Sequence, residues 1–230
     1  MKEKLIILLT ISLLSSCALN NQDADVRFNT GRQARFFGKS GLASCIGAGV
    51  LGAGLGYLIG KNSSDSGNGG TGAGIGAVGA CVAAMSVNYY LETQRVNYAN
   101  NEERLEAEIA QINESNAALQ ETIKATKQVL KDNRKTLNNL NKQIAAKNVN
   151  KAQAQKDLDK IDSNIKTLKD RNNQIGKVID NHSASAQYLK SNGVNTRTYE
   201  NKIKQLKREK QELENYIGDL SNQRNAIKLG

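Results

Sequence analysis

Proline and tryptophan are absent from the 230 residues, which hold only three phenylalanines, seven tyrosines, three cysteines and one histidine. Ordinary chains carry proline at ~5%. Without it, nothing in the sequence forces a helix to kink or stop, so very long helices are permitted. So few aromatic residues argue against a large mixed core. The lone histidine, His182, argues against a histidine-rich zinc or catalytic centre within one chain. No nucleophile–base pair, metal-ligand spacing or phosphate loop with its lysine is present, so the sequence points away from an enzyme, and no cofactor or metal is expected. What is plentiful is positive charge, with a formal net charge of +10, and glycine, most of it between Gly41 and Gly79.

Residues 1–16 have the layout of a secretory signal peptide. Lys2 and Lys4 precede an apolar run from Leu5 to Leu14, too short to span a bilayer. The run ends in Leu14-Ser15-Ser16-Cys17, which resembles the bacterial lipobox. That resemblance implies cleavage before Cys17 and acylation of its side chain. Several acyl chains, at ~0.8 kcal/mol per buried methylene, anchor a protein stably. Ala18, where an aspartate would retain an enterobacterial lipoprotein in the inner membrane, implies the outer membrane. Export also removes nucleic acid from the partners expected of a basic chain. Anionic lipid, lipopolysaccharide and peptidoglycan remain.

Residues 17–40 then read as a lipidated basic tether. All three phenylalanines, Phe28, Phe36 and Phe37, lie here with Arg27, Arg32, Arg35 and Lys39. Interleaved rings and cations suit a membrane interface, and docking there is the expectation, with a solvated linker as the alternative.

Gly41–Gly60 and Gly70–Leu91 contain no charge, and the polar stretch 61–69 between them forms a turn. Some twenty helical residues cover ~30 Å, the thickness of a bilayer core, so 41–91 is expected to be a transmembrane helical hairpin. Small residues recur every fourth position: Ser44, Ala48, Gly52, Gly56 and Gly60 in one arm, Gly72, Gly76, Ala80 and Ala84 in the other. Such a stripe lets helix backbones approach closely in lipid. Gly52, Gly56, Gly60, Gly72, Gly76 and Ala80 are the expected packing residues. Tyr57, Tyr89 and Tyr90 lie where interfacial tyrosines sit. Cys45 and Cys81 are offset in the hairpin, which disfavours pairing within one chain. Buried single cysteines or an interchain disulfide are the readings left.

The lipobox followed by a Gly-xxx-Gly hairpin resembles the glycine-zipper outer-membrane lipoproteins, a group that includes the rickettsial small surface antigens and TraT-type surface-exclusion lipoproteins. The resemblance runs from about Ala48 to Ala84. It implies a hairpin that inserts into or packs against the outer membrane and a homo-oligomer, and it brings no catalytic residues. The coiled coil that follows is not typical of that group.

From Leu105 to Leu189 one heptad register holds, with Ile109, Ile123, Leu130, Leu137 and Leu158 among the a positions and Ile112, Leu119, Leu140, Ile161 and Leu168 among the d positions. Eighteen of the twenty-five a and d residues are Leu, Ile or Ala. Eighty-five residues at ~1.5 Å each predict a rod of ~128 Å within a helix over 92–190. Lys147 to Ala154 is weak, and a second turn there would give a compact three-helix bundle; unbroken phase favours the rod. Asn116, Asn133 and Asn172 occupy core positions and are candidate register-setting residues. His182, at d, is a core-edge residue with pH sensing as its alternative role.

Asn192-Gly193 is a turn within 191–199, and 200–230 carries a second register through Ile203, Leu206, Leu213, Ile217, Leu220 and Ile227. The short loop predicts an antiparallel return. The fold expected is all-α: a membrane hairpin, a long coiled coil and a closing antiparallel helix. The function expected is a non-enzymatic envelope lipoprotein that serves as scaffold or spacer and docks peptidoglycan or an envelope-complex protein. A subunit of an oligomeric envelope channel or secretion complex and a surface-exclusion or immunity lipoprotein are the alternatives. The coiled coil would be periplasmic or surface-exposed.

Overall fold

The computed structural model describes residues 24–37, 82–98 and 100–229. All regular secondary structure among them is helical. A 3-10 turn, Val26–Asn29, leads into α1, Gly31–Phe37; then follow α2, Val87–Asn97, α3, Asn101–Ala145, α4, Lys151–Ser191, and α5, Arg197–Asn225. Among the described residues, no helix is long and apolar enough to cross a membrane. Cys17, Cys45 and Cys81, the stripe residues Gly52, Gly56, Gly60, Gly72, Gly76 and Ala80, and the signal sequence lie outside the described residues.

Three long helices form a bundle. Asn100 caps α3, its side chain accepting from the Glu103 amide at 2.8 Å, and Glu102 and Glu103 suit the positive end of the helix dipole. The a and d residues of the sequence then face inward: Ile112, Leu119, Leu137 and Leu140 from α3, Leu158, Ile161, Leu168 and Ile175 from α4, and Leu206, Leu213 and Leu220 from α5 are all buried.

The single helix expected over 92–190 is two helices here, with a further helix, α2, in front of them. Residues 146–150 reverse the chain. Lys147 takes a left-handed φ of +54°, and the Asn148 amide reaches back to the Gln143 carbonyl at 3.0 Å, closing the end of α3. Asn150 then caps α4 through the Gln153 amide. The physical reason for the break is that Lys147 and Lys151 fall at d and a, where a continuous rod would bury two ammonium groups; at a turn both stay exposed. Glu108 on α3 meets Ser185 on α4, while Leu140 and Ala154 line one depression beside the turn, so the two helices are antiparallel. Forty-five residues at ~1.5 Å make α3 ~68 Å long, about half the rod expected.

Gly193, at φ +82°, closes α4: its amide donates to Lys190 and that of Val194 to Leu189. From there α5 returns along α4. Asn172 donates to Glu214 at 3.1 Å and Arg224 pairs with Asp162 at 2.8 Å, positions equidistant from the turn in each case. Alongside α3, α5 runs parallel, with Lys127–Glu212 at 2.9 Å and an Arg134–Asp219 pair further on.

Candidate functional site

The helices α3 and α4 have a second inward face, at the c and g positions of the same heptads. From α3 it offers Arg104, Glu108, Ser115, Ala118, Thr122, Ala125 and Val129, and from α4 Asn164, Arg171, Val178, Asn181 and Ser185. Small and polar side chains leave a groove between the two helices on the side away from α5. The two segments that flank residues 38–81 fill it.

The first segment is 24–37. Phe28, Phe36 and Phe37 are buried in the protein core. This overturns the expectation that they enter the acyl boundary of a bilayer: the groove removes the same rings from water. Arg171 organises the contact. Its guanidinium donates to the Phe28 carbonyl and, at 2.9 Å, to Gln33 Oε1, and it lies 5.3 Å and 5.1 Å from the ring centres of Phe28 and Phe37. Burial pushes its pKa down to about 10. The Asp25 amide donates to Asn164 Oδ1 at 2.7 Å. Arg27 spans Asp25 and Asp132, each at 2.8 Å, and its guanidinium holds the Asp25 carboxyl below the usual range. The N-terminus of α1 is capped from a distance, as Glu121 Oε2 on α3 accepts from the Arg32 amide at 2.7 Å. Gly31 has φ +69°, and a Cβ there would sit 2.7 Å from that same oxygen.

The second segment is 82–98. Val82 and Ala83 are buried, and the Val82 and Met85 carbonyls accept from Asn181 at 2.7 and 3.2 Å. Tyr90 is fully buried, its hydroxyl 3.3 Å from His182 Nδ1, so it is no interfacial tyrosine. The apolar run beginning at Gly70 therefore loses its last ten residues to the bundle. The rest of the hairpin expected over 41–91 lies outside the described residues.

At the closed end of the groove the sealed polar residues form one network. Glu108 accepts from Arg104 Nε at 2.7 Å and from the Ser185 and Tyr199 hydroxyls at 2.5 Å each. Tyr199 OH is also 2.5 Å from His182 Nδ1, and Arg104 reaches Ser185 and lies 4.7 Å from the Tyr188 ring centre. With the Tyr199 proton given to Glu108, Nδ1 carries the proton that Tyr199 accepts. Nε2 is then a bare acceptor with no hydrogen-bond partner among the described residues. Burial pushes His182 down to about 3 and raises Glu108, Tyr90 and Tyr199. Neutral histidine is the stable form here, which makes it a core residue rather than one at the core edge.

The register candidates Asn116 and Asn133 are buried in the bundle and Asn172 is half-buried. Asn116 Nδ2 donates to the Lys202 carbonyl at 3.4 Å and Asn172 to Glu214, so both meet α5 of the same chain. The seam of Arg104, Glu108, Arg171 and Asn181 is not among the expected sites. Its signal is present in the sequence as small and polar residues at c and g every seven positions, a pattern overshadowed by the apolar a and d residues.

A domain of unknown function, DUF4200, matches residues 83–192. That stretch runs from just ahead of α2 to the end of α4 and leaves out α5 and the first docked segment. No curated protein and no solved structure matches the chain.

Proposed function

We propose that the chain is a non-enzymatic lipoprotein of the bacterial outer membrane, anchored through acylated Cys17 and the glycine-rich stretch after it, whose helical bundle is a scaffold held against the bilayer. It resembles the glycine-zipper lipoproteins from about Ala48 to Ala84 and differs from them in the bundle. The observation that supports the reading is the groove. The segments before and after residues 38–81 are both clamped between α3 and α4, so the apolar stretch is emitted by the folded bundle itself. Cys17 lies seven residues before buried Ala24, and seven extended residues reach ~25 Å, so acyl chains and bundle stay close together. The ionisable cluster around Glu108 is sealed from solvent, which suits a structural role. In this reading the glycine-rich stretch is the hairpin that inserts into or packs against the outer membrane. Asn116, Asn133 and Asn172 serve register in this reading, and peptidoglycan or an envelope protein is the partner on the bundle's free side.

Metabolic labelling with a fatty acid tests the anchor. The native chain is expected to carry label and fractionate with outer membranes, and Cys17→Ser is expected to lose the label. Unchanged labelling in the variant sinks the reading.

A further inference from the structure

The connections to residues 1–23 and 38–81 leave the bundle from its flank, and they are strung along its axis. Asp25 is held at Asn164, Phe37 stacks at Arg171, and Val82 is held at Asn181. These α4 positions span seventeen residues, or ~26 Å, and Arg171 is the midpoint of Lys151–Ser191. A rod standing upright on a membrane would emit its anchors at one end. Anchors spread along the side of a rod reach the membrane by the shortest path when that side faces it.

The exposed side chains agree. Among the described residues the large hydrophobic side chains left in solvent are Val26 at 71%, Tyr89 at 51% and Val96 at 71%. All three are on the 3-10 turn or α2, the segments that fill the groove, and α5 has none of them. Between them the charges are matched: half-exposed Arg32 pairs with Glu114 and Glu121, exposed Arg95 with Glu92, and Arg27 with Asp25 and Asp132. Scattered apolar tips with matched ion pairs between them fit the zwitterionic headgroup region of a bilayer rather than a dry protein interface.

We propose that the face formed by the 3-10 turn, α1 and α2 lies on a lipid surface, with the bundle's long axis in the membrane plane and α5 turned to the aqueous side. The proposal rests on the membrane-anchored reading above and goes beyond it by fixing which face meets lipid.

The test uses the full acylated chain with Cys45→Ser and Cys81→Ser, reconstituted in phosphatidylethanolamine–phosphatidylglycerol vesicles. Spin labels are attached through Val26→Cys, Tyr89→Cys, Val96→Cys and, on the opposite face, Gln211→Cys. Collision with oxygen, which partitions into lipid, is compared with collision with a water-soluble nickel chelate. The ratio is expected to be at least threefold higher at 26, 89 and 96 than at 211. Equal ratios in protein that floats with the vesicles overturn the lipid-facing side and leave the anchor intact. Labels at 26, 89 and 96 shielded from both reagents show a protein cover, whether residues 38–81 or a second copy, and overturn it too. Protein that fails to float removes the anchor reading and this inference with it.

Discussion

Two seams run along α3 and α4, and they are built from different chemistry. The a/d seam, shared with α5, is mostly Leu and Ile, with non-directional contacts that tolerate small shifts. The c/g seam, which seats 24–37 and 82–98, is assembled from directional bonds: Arg171 to the Phe28 carbonyl, Asn181 to the Val82 carbonyl, Arg104 to Glu108. Apolar packing holds the bundle together whatever fills the groove. A polar groove with a few aromatic plugs holds one partner in one register, and releases it when a single guanidinium or amide is removed. The first seam is therefore expected to carry global stability, and the second to carry the placement of the membrane-directed segments.

The largest effect expected is at the first seam. Ile217 is buried between the long helices, and Ile217→Asp places a carboxylate there, which is expected to cost at least ~4 kcal/mol and unzip α5. Circular dichroism melts of the full chain in detergent check this; a melting temperature within a few degrees of the parent would show that α5 contributes little to the bundle.

The second seam is expected to fail locally. Arg171→Ala leaves the Phe28 carbonyl and Gln33 without their buried donor, a loss of ~3 kcal/mol that speeds amide exchange across 24–37 about a hundredfold. Exchange in α5 is expected to stay unchanged, as read by hydrogen–deuterium exchange mass spectrometry. Equal acceleration in both regions would mean that the two seams are one cooperative unit.

His182 sharpens the comparison through pH. Its unfolded value is near 6.5 and its folded value about 3, so the stability it contributes is complete above ~6.5 and is lost as pH falls toward 3. Glu108, raised by burial, acts in the opposite sense, since its protonation relieves a buried charge. Tyr90 and Tyr199, raised by burial, stay neutral. Comparison with His182→Gln isolates the histidine. Between pH 6.5 and 5 the parent is expected to lose ~2 kcal/mol more than the variant in denaturant titrations. Parallel losses would mean that His182 is reached by solvent.

The smallest effect is at Gly31. In Gly31→Ala the positive φ and the contact with Glu121 together cost ~1 kcal/mol, confined to α1. Gly193→Ala makes the matching change at the end of α4, where the added Cβ meets nothing and only φ is strained. Exchange rates in 31–37 against those in 188–200 separate the two. An effect of Gly31→Ala that spreads into α5 would argue against a locally seated segment.

Periodicity made the helices legible, with their buried a and d residues and the turn at Asn192-Gly193, because a 3.5-residue apolar repeat can be satisfied only by packing one helix face. It also placed α5 antiparallel to α4, since the loop between them is too short for another arrangement. The reversal at 146–150 was not decided by the repeat. A heptad pattern records which face is buried, and it continues unchanged whether the axis runs on or doubles back. The charges Lys147 and Lys151 and the cap Asn150 carried the contrary signal. The same limit governs the aromatic segment: Phe28, Phe36 and Phe37 require removal from water, and lipid and protein meet that requirement equally well. Only the tertiary structure decided between them, because the groove between α3 and α4, with Arg171 at its centre, forms only when the two helices lie side by side and Arg171 meets Phe28, 143 residues earlier in the chain. The cluster of Tyr90, Glu108, His182, Ser185 and Tyr199 is of the same kind. The sequence offers Tyr90 and His182 only singly, and the bonded partners lie up to 92 residues apart; it is the antiparallel pairing that turns the five into one buried network.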